Sequence, residues 1–275
     1  HQLWASMAAG ADEEADATAV VAAAKAIGEG KFVVVVDNED RENEGDLVMA
    51  AQFVTTQACA FMVAHTNGLL CVPMTAGRAE ALDLPAMVRD NEDRNGTAFT
   101  ITCDAAVGTT TGASASDRAL TTRLLAADGT VAADLNRPGH ILPLVARPGG
   151  LLTRGGHTEA SVDLCYLAGC RPVALICELM HPWGTMMRRD GCSAFAARHG
   201  LVIVSTRQLE AYRRTVQQAA DPPPAVAAAL PAADETAVLQ AAHDERFMRM
   251  AITEAERGRY SAPPNPWVGC VLVAG

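Results

Sequence analysis

The apolar run Phe32 to Val36 gives way without transition to Asp37-Asn38-Glu39-Asp40-Arg41-Glu42-Asn43-Glu44-Gly45-Asp46, and the chain turns apolar again at Leu47-Val48-Met49-Ala50. Four consecutive valines after a phenylalanine suit a strand buried on both faces. Such a strand emptying into six carboxylates and one arginine constrains the fold more than any other feature. It sets a polar loop at the end of a sheet, where the sites of α/β proteins collect. A run of charge is most often a solvated turn. This one is pinned on both sides by apolar chain, and it mixes Arg41 with Glu42, Glu44 and Asp46, which suits a polar substrate together with a hard cation. Carboxylate oxygens are the ligands Mg²⁺ prefers.

The surrounding chain alternates between helical and extended patterns. Helical spacing predicts helices over residues 13–28, Thr56 to His65, from near Ser116 or Asp117 to Leu125, Thr158 to Leu167 with a stop at Gly169, Ser193 to His199, and Thr206 to Gln218. Short apolar runs predict further strands at Leu69 to Val72, Thr97 to Thr102, Ile141 to Ala146, Val173 to Cys177 and Leu201 to Val204. The irregular alternation points to an α/β (α+β) fold, a mixed sheet flanked by helices. After Gln218 the composition changes to Asp221-Pro222-Pro223-Pro224 and Ala-rich chain. This divides the chain into a catalytic domain over residues 1–218, a Pro/Ala linker over 219–242 and a short piece over 243–275, too short to bury a core.

Charge and cysteine usage narrow the function. A formal net charge of -10 argues against a nucleic-acid partner, while a local arginine can still bind a small anion. The eight cysteines include no C-x-x-C pair and read as reduced, buried thiols. No apolar stretch is long enough for a membrane span. The acidic N-terminus lacks the arginine-rich character of a transit peptide. The expected compartment is therefore the cytoplasm, or a plastid stroma if an upstream segment has been removed.

Three further stretches can carry chemistry. Arg154-Gly155-Gly156-His157-Thr158-Glu159 reads two ways: as a tight turn into a helix capped by Thr158, or as a phosphate site. In the second, the glycine amides, Arg154 and Thr158 meet the anion and His157 stands beside it. Asp134 to His140 ends in Pro138-Gly139-His140, where a lone histidine is usually a turn residue. Glu178 follows an apolar strand, a setting that can raise a carboxyl pKa toward acid/base use. His65, His181, His199 and His243 have no comparable setting and read as structural or surface residues.

Taken in order, Asp40 to Asp46 (DRENEGD), Thr109 to Arg118 (TTTGASASDR), Asp134 to His140 (DLNRPGH), Arg154 to Glu159 (RGGHTE) and Cys177-Glu178-Leu179 resemble the 3,4-dihydroxy-2-butanone 4-phosphate synthases of riboflavin biosynthesis. The resemblance covers about residues 20–214. It implies a homodimer with sites near its interface, Mg²⁺ or Mn²⁺ as cofactor, and ribulose 5-phosphate as substrate. Carried over by position, Glu42 and His157 are the implied metal ligands, and His140 and Glu178 the acid/base residues. Arg41, Glu42, Asp46, Arg154, Gly155, Gly156, His157, Thr158 and Glu178 form the implied substrate set, with Cys71 near the site. Removing a proton beside a ketone makes an enediolate, and the proton transfers need groups titrating near neutrality. One stretch departs from the family pattern: Met180-His181-Pro182-Trp183-Gly184 stands where an Asn and acidic residues usually precede Gly. That changes the polarity and stiffness of the loop after Glu178.

Residues 244–270 carry a second resemblance, to the opening helix and strand of the riboflavin-pathway pyrimidine deaminases. The zinc signature of that family is not present in this sequence. The chain thus reads as part of a multifunctional fusion, with no deaminase activity of its own.

Overall fold

The structure, a computed structural model, describes residues 16–219. The linker and the deaminase-like stretch expected beyond them lie outside the described residues.

A helix over residues 16–28 (α1) leads into β1 (Val33–Val36), which is buried throughout. The acidic loop returns the chain antiparallel along β2 (Gly45–Ala50), so Gly45 and Asp46 belong to the strand and not to the loop. Then come α2 (Thr56–His65), β3 (Cys71–Met74), the short α3 (Ala76–Ala81), β4 (Cys103–Ala105) and α4 (Ala115–Ala126). They are followed by β5 (Leu135–Val145), α5 (His157–Leu167), β6 (Ala174–Glu178), α6 (Arg189–His199), β7 (Val202–Ser205) and α7 (Thr206–Ala219).

The seven strands form one mixed sheet in the order β4-β5-β3-β6-β2-β1-β7. Only β1 with β7 and β3 with β5 run parallel. Side chains alternate across a sheet, and the core divides accordingly. Val34, Leu47, Met49, Leu175 and Cys177 pack on one face, and Val33, Val35, Val48, Ile176 and Val204 on the other. Burying both faces makes an all-apolar β1 possible. The second face is covered by α5, whose contacts reach β1, β2, β3 and β6.

Three expectations are corrected. Residues 97–102 form isolated bridges (Ala86 with Thr100, Phe99 with Leu144) and no strand; the ladder begins at Cys103. β5 starts at Leu135, six residues before the apolar run. His140 lies within the bounds of this strand, in a bulge where the ladder with β4 passes from Asn136, opposite Asp104, to Ile141, opposite Cys103. β3 is shifted toward Met74. Helices α2 and α4 fall where their apolar spacing and caps put them, with Thr55 and Ser114 accepting from the N–H of Ala58 and Asp117.

Seven cysteines among the described residues are free and buried, as their apolar settings imply. His65 and His199 pack with Phe61 and Phe195 in a ring cluster, a structural use. No helix among the described residues is long and apolar enough to cross a membrane.

Candidate active site

The acidic loop owes its shape to its first residue. Asp37, 1% exposed, follows β1 directly. Its Oδ1 accepts from the N–H of Glu44 at 2.9 Å, and its Oδ2 from the N–H of Glu42 at 3.1 Å and from Arg41 Nη1 at 2.9 Å. One carboxylate thus closes the turn and holds its arginine. From the start of α6, Arg188 Nη1 donates to the carbonyls of Glu42 at 2.6 Å and Asn43 at 3.1 Å. Asn43 takes the left-handed conformation at φ 52, which asparagine tolerates.

What this turn presents is Glu42. His157, the first residue of α5 and buried, brings Nδ1 within 3.5 Å of Glu42 Oε2 and 3.7 Å of Asp46 Oδ1. The ligand atoms of Asp37, Glu42 and His157 lie within 4.8 Å of one another. Asp46 Oδ1 and His157 Nε2 are buried with no hydrogen-bond partner. A buried polar atom left unpaired costs about 1–3 kcal/mol, so an orphaned carboxylate oxygen facing two more acidic groups asks for a cation. Hard oxygen donors with one imidazole fit Mg²⁺ or a similar divalent ion.

The electrostatics agree with that reading. Burial alone would raise the Glu42 carboxyl, but His157 and Arg41 overcome it and hold the pKa at about 2. Burial lifts Asp46 to about 6, helped by the charges of Glu42, Asp37 and Glu44. Burial would depress His157, yet Asp46, Glu42 and Asp37 together raise it to about 9. With no cation bound, the proton on His157 plays the cation's part, and a metal ion would take its place.

Glu178 ends β6 directly opposite Asp46 in β2, so their side chains leave the sheet on the same face. Burial first, then the charges of Asp46, Glu44 and Glu42, raise its pKa to about 7. Arg154 lies at the far side of the loop. Its guanidinium donates to Glu159 Oε2 at 2.6 Å, Thr97 Oγ1 at 3.1 Å and the carbonyl of Asn95 at 3.2 Å. Asn95 Nδ2 in turn donates to Glu42 Oε1 at 2.5 Å. Asn95 was not singled out by the sequence, because an asparagine in the polar stretch 89–97 looks like any loop residue. A Cβ at Gly156 would meet the Arg154 guanidinium, which would have to shift from its hydrogen bonds to Glu159, Thr97 and Asn95. Gly155 is exposed and Thr158 is buried in the first turn of α5.

Arg41, Glu42, Asp46, Arg154, Gly155, Gly156, His157, Thr158 and Glu178 therefore gather around the β1–β2 turn and the start of α5. His140 sits on β5, with β3 between it and β6, and its Nδ1 pairs with Asp104 Oδ2 at 2.7 Å. The same carboxylate accepts the His140 N–H at 2.9 Å. Asp104 thus fixes the ring and, in the neutral form, puts the proton on Nδ1, leaving Nε2 free to accept. Beside it, Asp117 accepts from Thr110 Oγ1 at 2.7 Å and the Gly112 N–H at 3.1 Å, shaping the Thr109–Gly112 turn.

Gly112 has φ +88, and a Cβ on it would collide with both the Asp104 carboxylate and His140 Nδ1. Gly112→Ala is expected to destabilise the fold by about 1–3 kcal/mol and to separate His140 from Asp104. A thermal melt and a turnover assay, run together, check both effects; a variant with normal melting and normal rate contradicts this geometry.

A carboxylate-histidine cluster fit for a cation, set beside a half-buried glutamate whose pKa is raised to about 7, defines an enzyme that moves protons on a small polar molecule. Comparison with known proteins makes the class specific. The family model for 3,4-dihydroxy-2-butanone 4-phosphate synthase matches residues 21–212. A synthase of that name from Klebsiella pneumoniae (strain 342) is 51% identical over 189 residues, covering 69% of this chain and 87% of its own length. One from Candida albicans is 52% identical over 196 residues, 71% of this chain and 96% of its own. A crystal structure of such a synthase in complex with two magnesium ions superposes with a TM-score of 0.69 at 47% identity, covering 70% of this chain and 94% of that one. The chain belongs to the 3,4-dihydroxy-2-butanone 4-phosphate synthase family.

Proposed function

We propose that this chain converts ribulose 5-phosphate to 3,4-dihydroxy-2-butanone 4-phosphate and formate, using Mg²⁺ or Mn²⁺. The observation that carries the proposal is the cluster of Asp37, Glu42 and His157 set beside Glu178, whose pKa is about 7. Glu42 and His157 are the metal ligands in this reading, as the family resemblance implies, while Asp37, both of whose oxygens accept within the turn, shapes the loop that carries Glu42. A divalent cation there supplies charge stabilisation for an enediolate.

The chain's own groups do the rest. Glu178, half-ionised near neutrality, takes and returns a proton at the substrate carbons. His140, held by Asp104, offers Nε2 as a second acid/base. Arg41, tied to Asp37 and Glu42, and Arg154, tied to the 95–97 loop, shape the polar wall around substrate oxygens, while the Gly155-Gly156 backbone and Thr158 take the phosphate at the positive end of α5. The reaction needs no oxidant, since the five-carbon sugar phosphate equals the four-carbon product plus formate.

The enzyme is a cytoplasmic homodimer in this reading, with its sites near the interface. Residues 1–218 are the catalytic domain, 219–242 a linker and 243–275 the start of a deaminase-like segment. Purified protein is expected to release formate from ribulose 5-phosphate, to stop with EDTA and to resume with Mg²⁺. No formate in the presence of metal, with ribulose 5-phosphate binding intact by calorimetry, would identify a silent binding module instead.

A further inference from the structure

Asn67 lies between α2 and β3, outside every motif that suggested function, and it grips Glu178 twice. Its main-chain N–H donates to the Glu178 carbonyl at 3.0 Å, and its Nδ2 donates to Glu178 Oε2 at 2.5 Å. The amide cannot be turned the other way. Its Oδ1 accepts from the Leu69 N–H at 2.9 Å, a group that only donates, and from Cys177 Sγ at 3.1 Å.

The other groups facing Glu178 leave it no second fixed partner. Asp46 stands opposite on β2, Glu42 and Glu44 on the acidic loop, His157 on α5, and the thiols of Cys71 and Cys177 on β3 and β6. Among the described residues, Asn67 is the one side chain that donates to the Glu178 carboxylate.

We propose that Asn67 is the positioning residue of Glu178, reserving Oε2 as an acceptor in both protonation states and leaving Oε1 to take and give the proton. An amide N–H cannot accept, so a proton on Oε2 would face another proton, and the acidic form must carry it on Oε1. The clamp also aims the carboxylate, whose side-chain torsions are otherwise free to swing away from the substrate. This inference rests on the acid/base role proposed above for Glu178.

Two variants separate positioning from structure. Asn67→Leu removes the donor. Asn67→Asp is isosteric, keeps the contacts to Leu69 and Cys177, and replaces the donor by a second carboxyl. For Asn67→Leu, kcat for formate release falls at least about tenfold, and the ascending limb of its pH profile moves up by about one unit, because a hydrogen bond favouring the ionised form is lost. For Asn67→Asp the limb moves further, since two adjacent carboxyls share a proton. KM and Mg²⁺ affinity stay at their wild-type values in both.

Glu178→Gln is run alongside. If it is inactive while both Asn67 variants keep the wild-type kcat and pH limb, the positioning role is overturned and that of Glu178 stands. A fall in kcat and KM together with a lowered melting temperature and an unmoved limb also overturns it, as a purely structural clamp. Full turnover by Glu178→Gln overturns both roles.

Discussion

Glu178→Gln keeps the fold and loses about two to four orders of magnitude in kcat, the range that a positioned acid/base contributes. The expectation comes from its place in the sheet. Glu178 is paired with Asp46 and stands near Glu42 and Glu44, so ionising it adds charge where charge is already crowded. Burial and those neighbours raise its pKa to about 7, and the ionised fraction therefore grows as pH rises through neutrality. If the ionised form is the base, the rate ascends through the same interval, and in the Gln variant the residual rate loses that limb. Stability should move the other way. A carboxyl whose folded pKa lies above its unfolded value costs stability as pH rises from the unfolded value, near 4 to 5, through the folded one. At pH 8 the full cost is present in the wild type and absent in Glu178→Gln. The variant should then melt at the same temperature or higher. Loss of rate together with loss of melting temperature would show that Glu178 serves packing instead.

The strength of that expectation depends on neighbours that the sequence does not display. An apolar strand followed by Glu was enough to single out Glu178, and the acidic loop was legible because a run of valines can only be buried. The ion-pair and hydrogen-bond partners were not legible. Asn67 is separated from Glu178 by 111 positions and Asn95 from Glu42 by 53. Arg188 reaches the loop from the start of α6, at residues whose local pattern says only that a helix begins. Such pairs arise from strand order, and local periodicity says nothing of strand order.

The misplaced elements have the same origin. The stretch Asn136 to His140 is polar and contains proline and glycine, so its local chemistry reads as a turn. It is part of β5 because β4 pairs on both sides of it, Asp104 with Asn136 and Cys103 with Ile141, and the residues between bulge from the ladder. That tertiary choice gives His140 its partner, since Asp104 leaves β4 where the His140 ring and the Gly112 turn meet. The resemblance to the synthase family supplied His140 as a candidate; what orients it is visible only once the strands are paired. The unusual loop after Glu178 forms a tight turn, with the His181 N–H on the Thr185 carbonyl at 2.8 Å and His181 stacked on an exposed Trp183. The pairing of Glu178 with Asp46 is the last of the β2–β6 ladder before this loop.

His157→Ala should weaken Mg²⁺ binding by at least about a hundredfold, the upper end of what is lost when only a ligand's supporting partner is removed. His140→Ala should leave that affinity largely unchanged while lowering kcat, because β3 separates β5 from the cluster. The two histidines thus divide by measurement: one moves the metal dependence, the other the rate alone. The pH dependence of binding adds a sharper mark. The His157 pKa of about 9 means that the metal-free site holds a proton at pH 7, on the residue whose Nδ1 faces Glu42 and Asp46. Coordination through that nitrogen must expel the proton. Affinity should therefore climb with pH and level off above about 9, with a further loss below about 6 as Asp46 protonates. Calorimetry at pH 7 in buffers of different ionisation enthalpy should show release of about one proton per ion bound, and none in His157→Ala. Binding without proton release in the wild-type protein would mean that the ion sits on Glu42 and its neighbouring carboxylates and leaves His157 an imidazolium.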